Sequence, residues 1–346
     1  MHIKERKLIF RTLLTVGTIL LISAGIKLYE DVFASNIVSG KKEVICYIYT
    51  QKSFEQNMES LREQGVLKNP GALSRLFSIT GYGDLLRPGR YVVNASASNL
   101  DLMRLFVSGR QQSIDIVFTG GERVHDVAVF WSKFLEADSN AIEAAVYAQV
   151  PADALGLNAE NVIQVFVPNT YNFFWNTNAE KFLKRMILEY RLFWDSTRLA
   201  KSQYLKMTPL EVGILASIVQ KETSKQSEMP TVAGVYRNRL LRGMPLQADP
   251  TLIFALNDKS IRRVGGEMLQ LESPYNTYKY TGLPPGPLCV PSVQAIDAVL
   301  NAEKHAYLYF CAKEDFSGYH NFAASFAQHQ LNARKYQRAL NRKGIK

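Results

Sequence analysis

The sequence predicts an α+β protein in three parts: an N-terminal apolar helix, a small mixed module, and a larger, mainly helical domain with short strands. Three observations predict it. The run TLLTVGTILLISAGI (12–26) carries no charge, strand and helix patterns alternate from 43 to 118, and helical periodicity dominates from 119 onward. A length of 346 residues with 47% hydrophobic and 21% charged content accommodates two folded domains.

The first element is a membrane-spanning helix. Lys4, Arg6, Lys7 and Arg11 precede the uncharged run, and Lys27 follows it. Taken from Leu8 to Tyr29, with Arg11 and Lys27 reaching toward the headgroups, the segment gives about 22 residues, enough to cross a bilayer. The basic leader, 1–7, predicts a cytoplasmic N-terminus, a span over 8–29, and an extracytoplasmic chain at the cytoplasmic (inner) membrane. A cleaved signal peptide is the rival reading, kept open by FAS at 33–35. Residues 30–42 read as a short polar stalk.

The module covers 43–118. VICYIYT (44–50) alternates as a strand, and Ser53 with Gln56 forms a capping box for a helix that stops at Gly65. A second helix follows Pro70 and ends near Gly81. PGRYVVN (88–94) is a turn entering a strand, a helix lies between Ser98 and Gly109, and QSIDIVF (112–118) is another strand. The β-α-α-β opening is similar in order to LysM-type glycan-binding modules, and a generic spacer domain has the same order. In the second domain, 119–346, helices are expected over 122–137, 139–149, 179–199, 209–224 and 323–342. The aromatic stretch FVPNTYNFFWNT (166–177) reads as a loop that wedges between packed elements or offers a glycan platform, and 243–291 reads as Gly- and Pro-rich with short extended pieces.

A formal charge of +10 suits an anionic partner such as a membrane surface or an acidic wall polymer. No nucleic-acid-binding signature accompanies it, so nucleic acid is not an expected partner. Three cysteines, Cys46, Cys289 and Cys311, have no CxxC spacing and read as buried thiols, with one disulfide open to them in an oxidising compartment. No metal or other cofactor is expected. The nine-residue spacing of His320 and His329 fits no zinc pattern.

The helix opening at Thr208 and Pro209 raises a chemical question. Thr208 and Glu211 form a T-x-x-E capping box. At about 100° per residue, Leu210, Val212, Ile214, Leu215, Ile218 and Val219 share one stripe, and Glu222 falls about 40° from Ile218, near its middle. Gln220 falls on the opposite face. An acid at the buried end of an apolar stripe has a raised pKa, the state a general acid needs near neutral pH. An acid past the core edge that merely ends the helix would fit the same periodicity.

The strings ILASIVQKETS, VYRNRL, LQADPT, YNTY, TGLPPGP and HNF occur in that order over 214–329. In them the chain closely resembles the YceG-like family, the endolytic murein transglycosylases. The resemblance implies a lytic enzyme that cuts the β-1,4 bond between N-acetylmuramic acid and N-acetylglucosamine without water, leaving a 1,6-anhydro end on nascent peptidoglycan strands. It implies a lytic domain with a substrate cleft, and Glu222 as the single acid and then base. Peptidoglycan synthases of the penicillin-binding type are implied partners. Family helices often read ExE here, whereas this chain has Gln220 in the first place, leaving Glu222. A non-catalytic glycan-binding scaffold and a two-carboxylate hydrolase are the competing readings.

On the same resemblance, Gln247, Asp249, Tyr275, Asn276, Thr277, Tyr278 and His320 are expected to bind substrate. Asp249 before Pro250 could equally cap a turn, and the tyrosines could pack a loop. His320 could be a hydrogen-bonded structural histidine. Of Arg237 and Arg239, two apart on a helix, one is expected to hold a carboxylate or backbone. The loop TGLPPGP (281–287) is expected to shape the wall of the cleft.

Overall fold

The computed structural model describes residues 3–38, 40, 42–151, 155–258, 260–261 and 264–344. It is a helix-rich α+β chain that divides into two compact units, Met1–Asp115 with Asn172–Thr177, and Ile116–Tyr171 with Asn178–Lys346.

The first unit begins with α1 (Ile3–Phe33), the one helix among the described residues long and apolar enough to cross a membrane. Leader residues 1 and 2, and residues 39 and 41 of the expected stalk, lie outside the described residues. Where described, that stalk is not a free connector. Residues 30–33 complete α1, and Asn36 and Val38 enter the module's hydrogen bonding through Asn36 N to Ala97 O (3.0 Å) and Val38 N to Val66 O (3.0 Å). The amide of Asn36, buried with Asn99, bonds to Asn99 Oδ1 and Asn69 O. The buried Asn36 side chain thus finds its partners, as burial requires.

The module follows as β1 (Glu43–Ile48), α2 (Phe54–Glu63), α3 (Pro70–Thr80), β2 (Gly89–Asn94) and α4 (Asn99–Ser108). β1 and β2 pair antiparallel, with Cys46 opposite Tyr91. Of the N-caps, Ser53 and Ser98 make capping boxes, and Gly81 and Gly109 end α3 and α4 in the left-handed region. Leu61, Leu73, Phe77, Tyr91, Leu102 and Phe106 fill the core. Each such side chain contributes about 1.5–3 kcal/mol on burial. From the aromatic stretch, Trp175 packs on Tyr47 (4.8 Å) and Tyr49 (5.3 Å), as a packing wedge does.

β3 (Ile114–Phe118) forms a two-stranded sheet with β4 (Asn169–Phe173), a strand inside the segment expected to be a loop. Between them lie α5 (Val124–Ser132), shorter than expected, and α6 (Ser139–Gln149). The single helix expected over 179–199 is two, α7 (Ala179–Phe193) and α8 (Ser196–Leu205). Asp195 breaks them by accepting the Arg198 N–H and starting a new helix. Then come α9 (Pro209–Glu222), α10 (Met229–Leu241), α11 (Asp249–Leu256), α12 (Val293–Leu300), the β5 (Tyr309–Ala312) and β6 (His320–Ala323) hairpin, and α13 (Phe326–Arg342). α11 lies where extended pieces were expected; Pro250 at its first turn is a start signal.

α9 forms the centre of the second unit, packing against α8, α10, α11 and α12. Val212–Val219 are buried without exception, so the helix is covered all round rather than along one stripe. Gly213 permits this: a Cβ there would lie 2.1 Å from Gln164 Oε1. All three cysteines are free, and burial pushes the Cys46 thiol up to about 12 and that of Cys289 up to about 11.

Candidate active site

Glu222 is the last residue of α9, where the helix leaves the core. Its carboxylate accepts a 2.7 Å hydrogen bond from Tyr236 Oη on α10. Protein surrounds the group densely, yet part of its surface stays open. That burial is the main cause of a pKa raised to about 7. The Tyr236 hydrogen bond pulls it down, the nearby charge of Asp249 pushes it up, and Arg239 pulls it down. Glu222 therefore titrates near neutrality. Gln220 turns away, as its wheel position requires: its Oε1 accepts the Ser292 N–H at 2.6 Å.

The second carboxylate, Asp249, is the exposed first residue of α11. Tyr278 Oη donates to Asp249 Oδ1. Burial raises the pKa of Tyr278, and the charges of Asp249 and Glu222 add to that. Tyr278 and Asp249 thus form one pair within electrostatic reach of Glu222.

Arg239 supports this pair from below. Its guanidinium is buried and donates to Leu308 O (2.7 Å), Pro245 O (3.1 Å), Leu246 O (2.8 Å) and Gln247 Oε1 (3.2 Å). One planar fork so ties the segment before α11 to the β5 end of the hairpin. Gln247 itself is exposed, with φ 52°, a left-handed conformation held by its N–H on Thr277 O (2.9 Å). Arg239 is the arginine that holds backbone, as expected for one of the two.

Two expected substrate ligands lie beneath the surface. Asn276 is fully buried and donates to Leu269 O and Leu271 O while accepting the Tyr278 N–H. Thr277 is also buried, and its hydroxyl meets the Ala248 N–H (3.1 Å) and Thr251 Oγ1 (2.9 Å). Their polar groups are spent inside the protein, so they support the site instead of lining it. Tyr275 packs on Phe254 at 4.9 Å. Its hydroxyl lies against Gly286, where a Cβ would come 2.1 Å from Glu160 O; only glycine fits this approach of the TGLPPGP loop. Ser217 Oγ accepts the Leu288 N–H at 2.9 Å and fastens the end of that loop to α9.

His320 begins β6 and pairs with Glu228, Nδ1 to Oε2 at 2.7 Å, while its backbone N–H bonds the other carboxylate oxygen at 2.8 Å. Thr223, next to the candidate acid, donates its hydroxyl to Glu228 Oε2 at 3.3 Å. Phe310 lies edge-on between the His320 ring (5.2 Å) and the Tyr236 ring (5.8 Å). A closed circuit results: Glu222, Tyr236, Phe310, His320, Glu228, Thr223. Tyr236, Glu228 and Phe310 are absent from the sequence-level site. The VYRNRL string contains Tyr236, but nothing in the spacing of Glu228 or Phe310 connects either to Glu222.

A cavity of about 150 Å3 is lined by Lys221 of α9, Pro250 and Phe254 of α11, and Leu288 among others, and by none of the residues of that circuit. Lys221 Nζ meets Glu122 Oε1 at 2.5 Å on its rim. The arrangement offers one protonatable acid near neutral pH, a tyrosine-bonded carboxylate close to it, and an exposed amide at Gln247.

Against known proteins, the sequence model of the YceG-like family matches residues 46–335. A Bacillus subtilis protein named endolytic murein transglycosylase is 32% identical over 196 residues, 56% of this chain and 53% of that protein. A Streptococcus pneumoniae protein of the same name is 34% identical over 152 residues, 42% of this chain and 27% of that one. The chain thus spans about half, or less, of the length of these curated relatives. A solved structure of a yceG-like protein from Listeria monocytogenes shares the fold, with a TM-score of 0.54 at 23% identity over 84% of this chain and 99% of that one.

Proposed function

The chain belongs to the YceG-like family, and from that premise we propose that it is a membrane-anchored endolytic lytic transglycosylase of peptidoglycan. The observation that carries the reading is Glu222, a carboxyl at the end of a buried helix with a pKa raised to about 7. Protonated, it gives its proton to the glycosidic oxygen, the C1–O4 bond breaks, and N-acetylglucosamine leaves with its 4-hydroxyl restored. The N-acetylmuramyl O6 then bonds to C1, and the Glu222 carboxylate takes the O6 proton. The product ends in 1,6-anhydromuramic acid, no water is consumed, and one carboxyl serves both steps. Ordinary glycosidases use two carboxyls.

Asp249 as general base of a hydrolase is the second reading, favoured by its closeness to Glu222. Its engagement with the Tyr278 hydroxyl argues for a sugar-orienting role instead. Gln247, Asp249 and Tyr278 are the side chains we assign to substrate hydroxyls, with Tyr275 and His320 positioned behind them. We assign the substrate groove to the surface that carries Glu222, Gln247 and Asp249. α1 spans the cytoplasmic membrane with its N-terminus inside, and the domain from 119 onward acts outside on nascent strands, beside the synthases that make them. The module over 43–118 is a LysM-like spacer.

The test is product analysis. The full chain in detergent is incubated with uncrosslinked glycan and the ends are read by mass spectrometry. Anhydro ends support the proposal, reducing ends the hydrolase, and uncut strands a scaffold.

A further inference from the structure

α3 runs down the last turns of α1. Asn69, which caps α3, bonds through its N–H to Asn36 Oδ1 (2.7 Å), and Arg75, further along, pairs with Asp31 at 2.6 Å. Each step along α3 therefore moves toward the N-terminal end of α1. A groove of about 420 Å3 separates the two helices, lined by Ala24, Lys27 and Leu28 on one side and Arg75, Leu76 and Ile79 on the other.

Depth follows from the length of the span. A helix crossing from Leu8 to Tyr29 is about 33 Å long and is centred between residues 18 and 19. Ala24 then lies about 8 Å from the midplane, inside a hydrocarbon half-thickness of about 15 Å. Asp31 and its partner Arg75 lie about 19 Å out, among the headgroups. Ile79 comes four residues, about 6 Å, deeper than Arg75. It falls within the acyl region, and it is 72% exposed.

The polar groups of this turn are prepared for such a place. Ser78 Oγ donates to Ser74 O (3.1 Å) and Thr80 Oγ1 to Leu76 O (2.8 Å), leaving no hydroxyl proton in want of water. Thr12, Thr15 and Thr18 of α1 do the same with the carbonyls four residues before them. Exposed Tyr82, just past the helix, suits the interface.

We infer that the small module dips the C-terminal end of α3 into the outer face of the bilayer, with a phospholipid in the α1–α3 groove, its acyl chain on Leu28, Leu76 and Ile79 and its phosphate near Lys27. The module is thereby a membrane-seated base. The inference rests on α1 spanning the bilayer and is independent of the catalytic reading.

Site-directed spin labelling tests it. The full chain, in a Cys311→Ser background, is labelled at Ile79→Cys, at Leu20→Cys within the span, or at Glu59→Cys on α2, and reconstituted in phosphatidylethanolamine–phosphatidylglycerol vesicles. Oxygen and a nickel chelate report lipid and water access. The ratio of oxygen to nickel collision is expected to be severalfold higher at position 79 than at 59, approaching that at 20. A water-like ratio at 79 with a lipid-like ratio at 20 overturns the seating while leaving the span intact. Water-like ratios at both overturn the span and the seating together.

Discussion

Tyr236 Oη holds Glu222 Oε1 at 2.7 Å, and this is the contact that opposes burial in setting the acid's proton affinity. A donor on a carboxylate favours the charged form, while desolvation favours the neutral one. Burial prevails, which leaves the group poised to give a proton and to take one back.

Glu222→Gln keeps the shape of the side chain and removes the proton. Cutting of uncrosslinked glycan is expected to fall at least about a thousandfold, in the range lost when a positioned acid–base group is removed. Circular dichroism is expected to match the unaltered protein. Retained cleavage at a tenth of the rate or more would end the assignment.

Tyr236→Phe removes the donor that stabilises the carboxylate. The pKa of Glu222 is expected to rise above about 7, so the alkaline limb of the rate profile, where the acid is lost, moves to higher pH. Stability is expected to drop by about 1 kcal/mol for the lost hydrogen bond. An unmoved limb would show that a different group titrates.

The same shift makes stability depend on pH. The folded pKa lies above the ordinary carboxyl value of 4.5, so the folded form binds the extra proton between pH 4.5 and about 7. Stability is therefore present below that window and is lost as pH rises through it, by up to about 3 kcal/mol. Gln cannot ionise. Thermal melts of the full chain in detergent should show the Glu222→Gln variant gaining on the unaltered protein between pH 5 and pH 8. Parallel curves would contradict the burial of the carboxyl.

Glu228→Ala leaves the His320 ring, its backbone N–H and the Thr223 hydroxyl without their shared acceptor. A loss of about 2 kcal/mol is expected, as when a buried acceptor is deleted and its donors are left unsatisfied. Because Thr223 adjoins Glu222, kcat should fall more than KM changes. An unchanged melting temperature would refute the clamp.

Arg239→Lys keeps the charge but cannot supply a guanidinium fork to four oxygens. The variant should lose about 2 kcal/mol, by urea denaturation, and bind glycan more weakly through the freed Gln247. Wild-type behaviour would reduce Arg239 to a spectator.

Local chemistry was written plainly in the chain. Ser53 with Gln56 and Thr208 with Glu211 announce their capping boxes, Gly81 and Gly109 their helix ends, and the uncharged run 12–26 its apolar helix. These signals are local in the chain, so no distant partner is needed to read them. The break between α7 and α8 escaped notice because the helical period carries on past Phe193, while only the Asp195 side chain marks a new start. β4 escaped because it lies in an aromatic run that reads as a loop, and β5 and β6 because four residues carry too little alternation.

The site divides in the same way. Sequence alone made Glu222 the candidate acid, through the strings around it and the Gln at position 220. Tertiary packing decided everything that tunes it. Tyr236, Asp249 and Arg239 reach the acid from 14 to 27 residues further along the chain, and the Glu228–His320 pair closes across 92. It also decided that Asn276 and Thr277 serve underneath, since whether a polar side chain meets solvent or a buried carbonyl depends on what folds over it. Burial and electric field sum over neighbours in space, and a linear order of residues does not state who those neighbours are.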